Sequence, residues 1–190
     1  MRIIIKPLGM VFFALAIGGG FAAVSLKKTG PLGIGAGAVA LSGHGNNVVA
    51  EEKWKFYTEK GAVGNMTVTR ETIEGAPRNG LKILADRPGE QPWNLGISNA
   101  LGTPFKAGEK LQLRFWGRSE QGSQVTIILQ RNVPGFPDCF KQTLTLTPQW
   151  KSYQYDVTTT AMAQWESMIA VHAGFQAGSL ELAGVELVRV

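Results

Sequence analysis

Polar and apolar side chains alternate in Leu111–Arg118, where Gln112, Arg114, Trp116 and Arg118 interleave with Leu111, Leu113 and Phe115. A strand turns successive side chains to opposite faces. One face is therefore core, and the other carries an amide, two guanidinia and an indole. Planar amides and guanidinia grip two oxygens at once, and an indole offers a flat apolar plate. The chemistry of such a face is non-covalent recognition. If the next strand presents Thr126, Ile128 and Gln130 on the same side, Gln130 joins it. His172, between Val171 and Ala173, is read as turning away from the core as well. Phe136, flanked by Pro134 and Pro137, and Trp93, just after Pro92, are expected at the edges of that face.

Bond-breaking chemistry finds no constellation. Only two histidines occur, and His44 falls in a Gly/Ala-rich stretch, so His172 would act alone without a paired nucleophile. Hydrolysis of a glycosidic bond takes two carboxylates across a cleft; Asp138, Glu109 and Glu120 sit singly in turns. Zinc needs clustered His and Cys, and the chain has three such residues in all. Cys139 is the only cysteine, so there is no intrachain disulfide. A reactive thiol needs electropositive partners that the sequence does not place, and Cys139 is read as a small loop residue. The chain is expected not to be an enzyme.

The elements that position these residues are strands. GEKLQLRFWGRS, QVTIILQR, KQTLTLTPQW and KSYQYDV follow one another over Glu109–Val157, each broken by turn formers. That spacing signals an antiparallel all-β sheet. Upstream, Trp54–Tyr57, Thr67–Thr72, Leu81–Ala85 and Trp93–Ile97 read as strands. Downstream, Met168–Ala173 and Leu180–Val190 do, with Thr158–Trp165 as a short helix or crossing loop. The expectation is nine or ten strands and almost no helix. Trp150, Tyr153 and Tyr155 are read as core or turn braces, and Trp54 and Trp165 as structural. Arg114 and Arg118 have a plainer reading too, solvated or paired with Glu120 or Glu109.

The N-terminal flank is different. Leu8–Leu26 is 19 residues without a charge, between Arg2 and Lys6 on one side and Lys27–Lys28 on the other. About 20 apolar residues span a bilayer as a helix, and an export signal opens the same way. Residues 1–28 are thus expected to be an uncleaved membrane anchor or a cleaved signal. Residues 29–48 read as a Gly/Ala-rich linker, and 49–190 as the folded domain. Gly33-Ile34-Gly35-Ala36-Gly37 lacks the preceding strand that a dinucleotide fingerprint requires. Glu51–Val190 carries 15 basic and 14 acidic side chains, so the domain has no electrostatic footprint for nucleic acid.

With its strands in this order, the chain resembles the carbohydrate-binding modules of families 4 and 9 and their relatives, galactose-binding-like jelly rolls often attached to glycoside hydrolases. The likeness rests on Pro92-Trp93 before a strand, the Lys106-x-Gly108 turn, LRFWGRS at Leu113–Ser119 and VTIILQ at Val125–Gln130. Leu146–Lys151 followed by Tyr153, and a closing Gly184–Leu187 strand, complete it over about 140 residues. The resemblance implies a jelly-roll β-sandwich that binds a poly- or oligosaccharide on its concave sheet without catalysis. Gln112, Arg114, Trp116, Arg118, Gln130 and His172 would line the groove, with Trp93 and Phe136 at its edges. No cofactor is implied beyond the structural calcium of many members, whose usual Asp in the last strand's lead-in is missing from Leu182-Ala183-Gly184-Val185; Glu51 and Glu52 remain as oxygen donors. The whole is expected outside the cytoplasm, periplasmic or at the cell surface, or secreted if the N-terminus is cleaved. The alternative is a protein-interaction or assembly module of the cell envelope with an envelope protein as partner.

Overall fold

The computed structural model describes residues 47–190. Ten strands follow in order: β1 Trp54–Thr58, β2 Val63–Ile73, β3 Ala76–Arg87, β4 Leu95–Leu101 and β5 Lys110–Arg118, then β6 Gln124–Arg131, β7 Asp138–Thr145, β8 Lys151–Thr158, β9 Ser167–His172 and β10 Gly178–Arg189. Two 3-10 turns, Glu51–Lys53 and Pro92–Asn94, are the only helical pieces among the described residues. The anchor or signal and nearly all of the linker lie outside these residues; within them, no helix is long and apolar enough to cross a membrane. The linker's last two residues already belong to the fold: Asn47 bridges Val188, and the Val48 amide donates to Leu187 O at 3.0 Å.

The strands form two antiparallel five-stranded sheets, β1-β4-β9-β6-β7 (the β6 sheet) and β2-β3-β10-β5-β8 (the β5 sheet). Their inner faces interdigitate as sandwiches do. Leu111, Leu113 and Phe115 of β5 meet Val125, Ile127 and Leu129 of β6 in one buried cluster with Ile97, Ile169, Leu182 and Leu187. Phe115 stacks on Tyr153 at 5.1 Å, and Tyr155 reaches Phe140 of the other sheet at 5.6 Å, so both tyrosines are core residues.

Local chemistry places the boundaries. Strand β4 starts at Leu95 rather than Trp93, because Pro92 opens a 3-10 turn. Residues β2 and β3 form one long hairpin closed by Glu74 and Gly75, both at positive φ (51° and 76°). That is the backbone a two-residue hairpin turn demands. Strand β3 begins at Ala76, ahead of the Leu81 read from the sequence, and tolerates Pro77 because Pro77 pairs with Thr72 beyond the stretch where β10 lies alongside β3. Thr158–Trp165 forms a crossing loop, held by the Phe105–Met162 bridge.

Candidate functional site

Strands β5 and β6 lie in different sheets, which divides the expected site residues between opposite faces of the sandwich. Gln130 therefore does not join Gln112, Arg114, Trp116 and Arg118.

On the β5 sheet the outward side chains are engaged with one another. Arg114 Nε donates to Gln112 Oε1 at 2.6 Å, and Gln112 Nε2 donates to Asp156 Oδ1 at 3.1 Å. Arg118 pairs with Glu181 at 2.8 Å and lies over the Trp150 ring at 4.6 Å. The expected acidic partners are elsewhere: Glu109 pairs with Arg189, whose hydrogen bond holds its carboxyl below the usual range. Arg78 lies over Trp116 with 5.4 Å to the ring centre. Amide, guanidinia and indole are all occupied within the protein.

The outward face of the β6 sheet is organised otherwise. The strand registers define rows running across it. One row is Tyr57–Gly96–His172–Thr126–Thr143, and the next is Lys55–Ser98–Ala170–Ile128–Lys141. A third is Ala100–Met168–Gln130–Asp138. Thr126, Ile128, Gln130 and Ala170 are 3%, 2%, 7% and 1% exposed, although among the described residues no further strand layer covers this face. Ile128 and Ala170 do not belong to the core cluster either. Outward residues become that buried only on a recessed floor with raised flanks. Gly96, Ser98 and Ala170 keep the floor low. Over Gly96 lies Tyr57, whose hydroxyl would be 2.8 Å from a Cβ built there.

Each lip of this trough carries exposed aromatic rings. On one side Trp93, 51% exposed, stands beside His172, with ring centroids 6.5 Å apart and tilted by 57°. Its turn is rigid: Gln91 N donates to Asn94 Oδ1, Asn94 N to Gln91 O and Gly174 N to Pro92 O, at 2.9–3.0 Å. On the other side, at the far ends of the strands, are Phe136 and Trp165, 53% and 52% exposed. Both sit at left-handed φ, 41° and 67°. A bulky residue there is strained and persists only where its surroundings enforce it. The two loops are tied by the 2.6 Å bond from Asn132 N to Glu166 O and the Arg131–Glu166 ion pair. Trp165 lies on Gly102, beneath the Lys53 ammonium at 4.6 Å. It is thus packed against the protein, as a structural residue would be, while remaining half exposed. Tyr57, too, escaped the sequence reading; a single Tyr on an edge strand gives no signal until Gly96 is known to lie beside it.

The electrostatics suit a neutral hydrogen-bonding floor. Burial, reinforced by Lys141, lowers the His172 pKa to about 4 against the opposing pull of Asp138, so the imidazole is neutral and offers one donor and one acceptor. Burial, then Glu59, pushes Tyr57 up to about 12 and keeps its hydroxyl a donor. Asp138 is the only carboxylate in the three rows, which leaves no carboxylate pair across the trough.

A separate cavity of about 360 Å³ opens at one end of the sandwich, lined by Glu51, Glu52, Trp54, Val68, Arg70, Asn79, Leu81 and Val185. Glu51 accepts from Asn79 Nδ2, and Arg70 stands opposite. Among the described residues no three His, Cys, Asp or Glu side chains cluster as metal ligands. Two carboxylates beside a guanidinium do not fit calcium, which takes six to eight oxygens.

No protein-family model and no curated protein matches the chain. Solved structures do match its fold. A structure described as "CBM4 structure and function" superposes with a TM-score of 0.60 at 16% identity, over 74% of this chain and 88% of that one. The N-terminal cellulose-binding domain of Cellulomonas fimi β-1,4-glucanase C gives 0.54 at 17%, over 75% and 92%. The family 11 carbohydrate-binding module of Clostridium thermocellum, in complex with a β-1,3-1,4-mixed-linked tetrasaccharide, gives 0.50 at 16%, over 73% and 89%. At such identities the likeness is one of fold: the two-sheet antiparallel β-sandwich expected from the sequence is shared with these modules.

Proposed function

We propose that this chain binds a poly- or oligosaccharide non-catalytically, in the trough of the β6 sheet. One observation carries the reading: the outward side of β6 is buried although no other described strand layer lies over it, and exposed aromatic rings flank it. A sugar ring has apolar C–H faces and a rim of hydroxyls. Tyr57, Trp93 and Phe136 offer flat surfaces for the first, and Gln130, His172 and the Tyr57 hydroxyl offer partners for the second. The neighbours' fold, and the cellulose and mixed-linked glucan named for two of them, support a saccharide as partner. Residues 8–26 would hold the domain at a membrane, outside the cytoplasm, or direct its export.

The test is gel retardation of the purified chain on immobilised xylan, mixed-linkage glucan, soluble cellulose and mannan, with acidic glycans included. Retardation lost in Trp93→Ala and His172→Ala but kept in Trp116→Ala supports the site. Retardation lost only in Trp116→Ala moves it to the β5 sheet. A well-folded chain that no glycan retards overturns the reading.

A further inference from the structure

The trough's charges point to the class of saccharide. Lys55 stands at one end of the middle row and Lys141 at the other, with Ser98, Ala170 and Ile128 between them. Four inter-strand steps separate them, about 19 Å, the length of several pyranose rings. Lys53, next on the same side of the β1 edge, holds its ammonium over the exposed Trp165 ring. Neither Lys53 nor Lys55 has a carboxylate within 4 Å among the described residues. Lys141 has Asp138 at 3.9 Å, a long contact between two half-exposed groups; such pairs hold little energy, and an incoming anion competes with them readily. Glu59 lies near Tyr57, and Glu166 at the Trp165 lip is paired with Arg131. On the opposite sheet, by contrast, Arg118 already has its carboxylate, Glu181.

A neutral glycan lying along the middle row would leave these ammonium groups solvated and idle. A chain with anionic substituents would stack its ring bodies on the floor and lips and carry its charge to where the lysines stand. We infer that the ligand is an anionic polysaccharide, its charge supplied by uronic carboxylates or sulfate esters. This rests on the saccharide-binding reading above. Lysine meets either anion as a point charge with three donors, so the two sources are separated by experiment.

The experiment measures the affinity of the full chain for three sets of glycans: neutral (xylan, mixed-linkage glucan), uronate-bearing (polygalacturonate, alginate) and sulfated (carrageenan). The expected result is at least about tenfold tighter binding to an anionic set, since a charge-assisted hydrogen bond is worth more than a neutral one. That preference shrinks as salt rises from about 0.05 to 0.5 M, because the lysines are exposed and screened. Lys55→Gln and Lys141→Gln each weaken the anionic glycan several-fold and leave Trp93-dependent stacking intact. Lys82→Gln, on the outward face of the β5 sheet, changes nothing and controls for the chain's overall positive charge. Equal affinity for neutral glycans, independent of salt and of both substitutions, overturns the inference while the saccharide reading stands. Failure to bind any of the three sets overturns both.

Discussion

The two outward faces of the sandwich start from the same device and end differently. Each has small residues within its middle row, interrupted by larger ones. On the β5 sheet, Thr69, Gly80, Ala183, Trp116 and Ser152 lie in one row. On the β6 sheet the row passes through Ser98 and Ala170. The β5 face fills its own dip: Arg78 lies over Trp116, and packs so closely that a Cβ on Gly184 would sit 3.2 Å from its Nη1. Next to it, Arg118 is held by Glu181 and Trp150. Among the described residues the β6 face draws Tyr57 over Gly96 and has no cation laid across its dip. Composition alone does not make a binding surface. An indole covered by a guanidinium is structure, even though Arg78 Nε finds no hydrogen-bond partner among the described residues, whereas an amide and an imidazole with no side-chain partner among those residues are available to a ligand.

The central glycines test this contrast most severely. A Cβ on Gly96 would come 2.2 Å from the Val171 carbonyl oxygen and 2.8 Å from the Tyr57 hydroxyl. Backbone cannot step aside cheaply, so Gly96→Ala is expected to cost about 3 kcal/mol and to displace Tyr57 from the floor. A Cβ on Gly80 meets mainly Thr69 Oγ1, at 2.3 Å. That side chain can rotate away, so Gly80→Ala should cost about 1 kcal/mol. Denaturant titration of both variants reads the difference, and equal losses would mean that the two faces are equally closed.

Acid should distinguish the faces next. The folded His172 pKa, about 4, lies below the ordinary value of 6.5. Between those values the unfolded chain binds the extra proton, so stability is full above pH 6.5 and falls as pH drops toward 4. With the ring partly exposed, the loss should be about 2 kcal/mol. His172→Gln should flatten that part of the profile. An unchanged profile would mean that the imidazole is not buried in the trough.

The sequence made the fold legible but not the division of the expected site residues between two faces, for one physical reason. Period-two alternation marks a strand with one face in water, and β5 alternates cleanly. The eye therefore falls on Gln112–Arg118, the face with the most chemistry visible. The deeper signal was the failure to alternate in Val125-Thr126-Ile127-Ile128-Leu129. A run apolar on both sides is a strand buried on both faces, here on one side by the core and on the other by the trough. Which strands share a sheet depends on crossovers that no local pattern encodes, so the separation of Gln130 from Trp116 could not be read. The exposure of Trp93 and Phe136 was legible because an aromatic beside proline marks exposure locally. That of Trp165 was not, since it comes from a strained turn and from Gly102 in a distant segment.

Binding measurements sharpen the same contrast at a smaller scale. Loss of one stacking ring is worth about 1.5 kcal/mol, roughly tenfold in affinity. Trp93→Ala and Tyr57→Ala should each show it by calorimetry against whichever glycan binds. Trp116→Ala, whose ring already has Arg78, should leave affinity within about twofold.

The smallest effect concerns the β5 face itself. If its outward groups are occupied structurally, Arg118 and Glu181 should couple in a double-mutant cycle on stability. The pair is close, 2.8 Å, but its side chains are 34% and 16% exposed, and solvent-screened pairs of this kind contribute about 0.5 kcal/mol. Arg118→Ala also strips the cation from Trp150, so the single mutant loses more than the coupling term, and the cycle is needed to separate the two. Coupling near 0.5 kcal/mol, with glycan affinity unchanged in all three variants, would assign the pair to structure. Glycan affinity that falls with Arg118→Ala and not with Glu181→Ala would instead return the guanidinium to the ligand, and with it a second binding face.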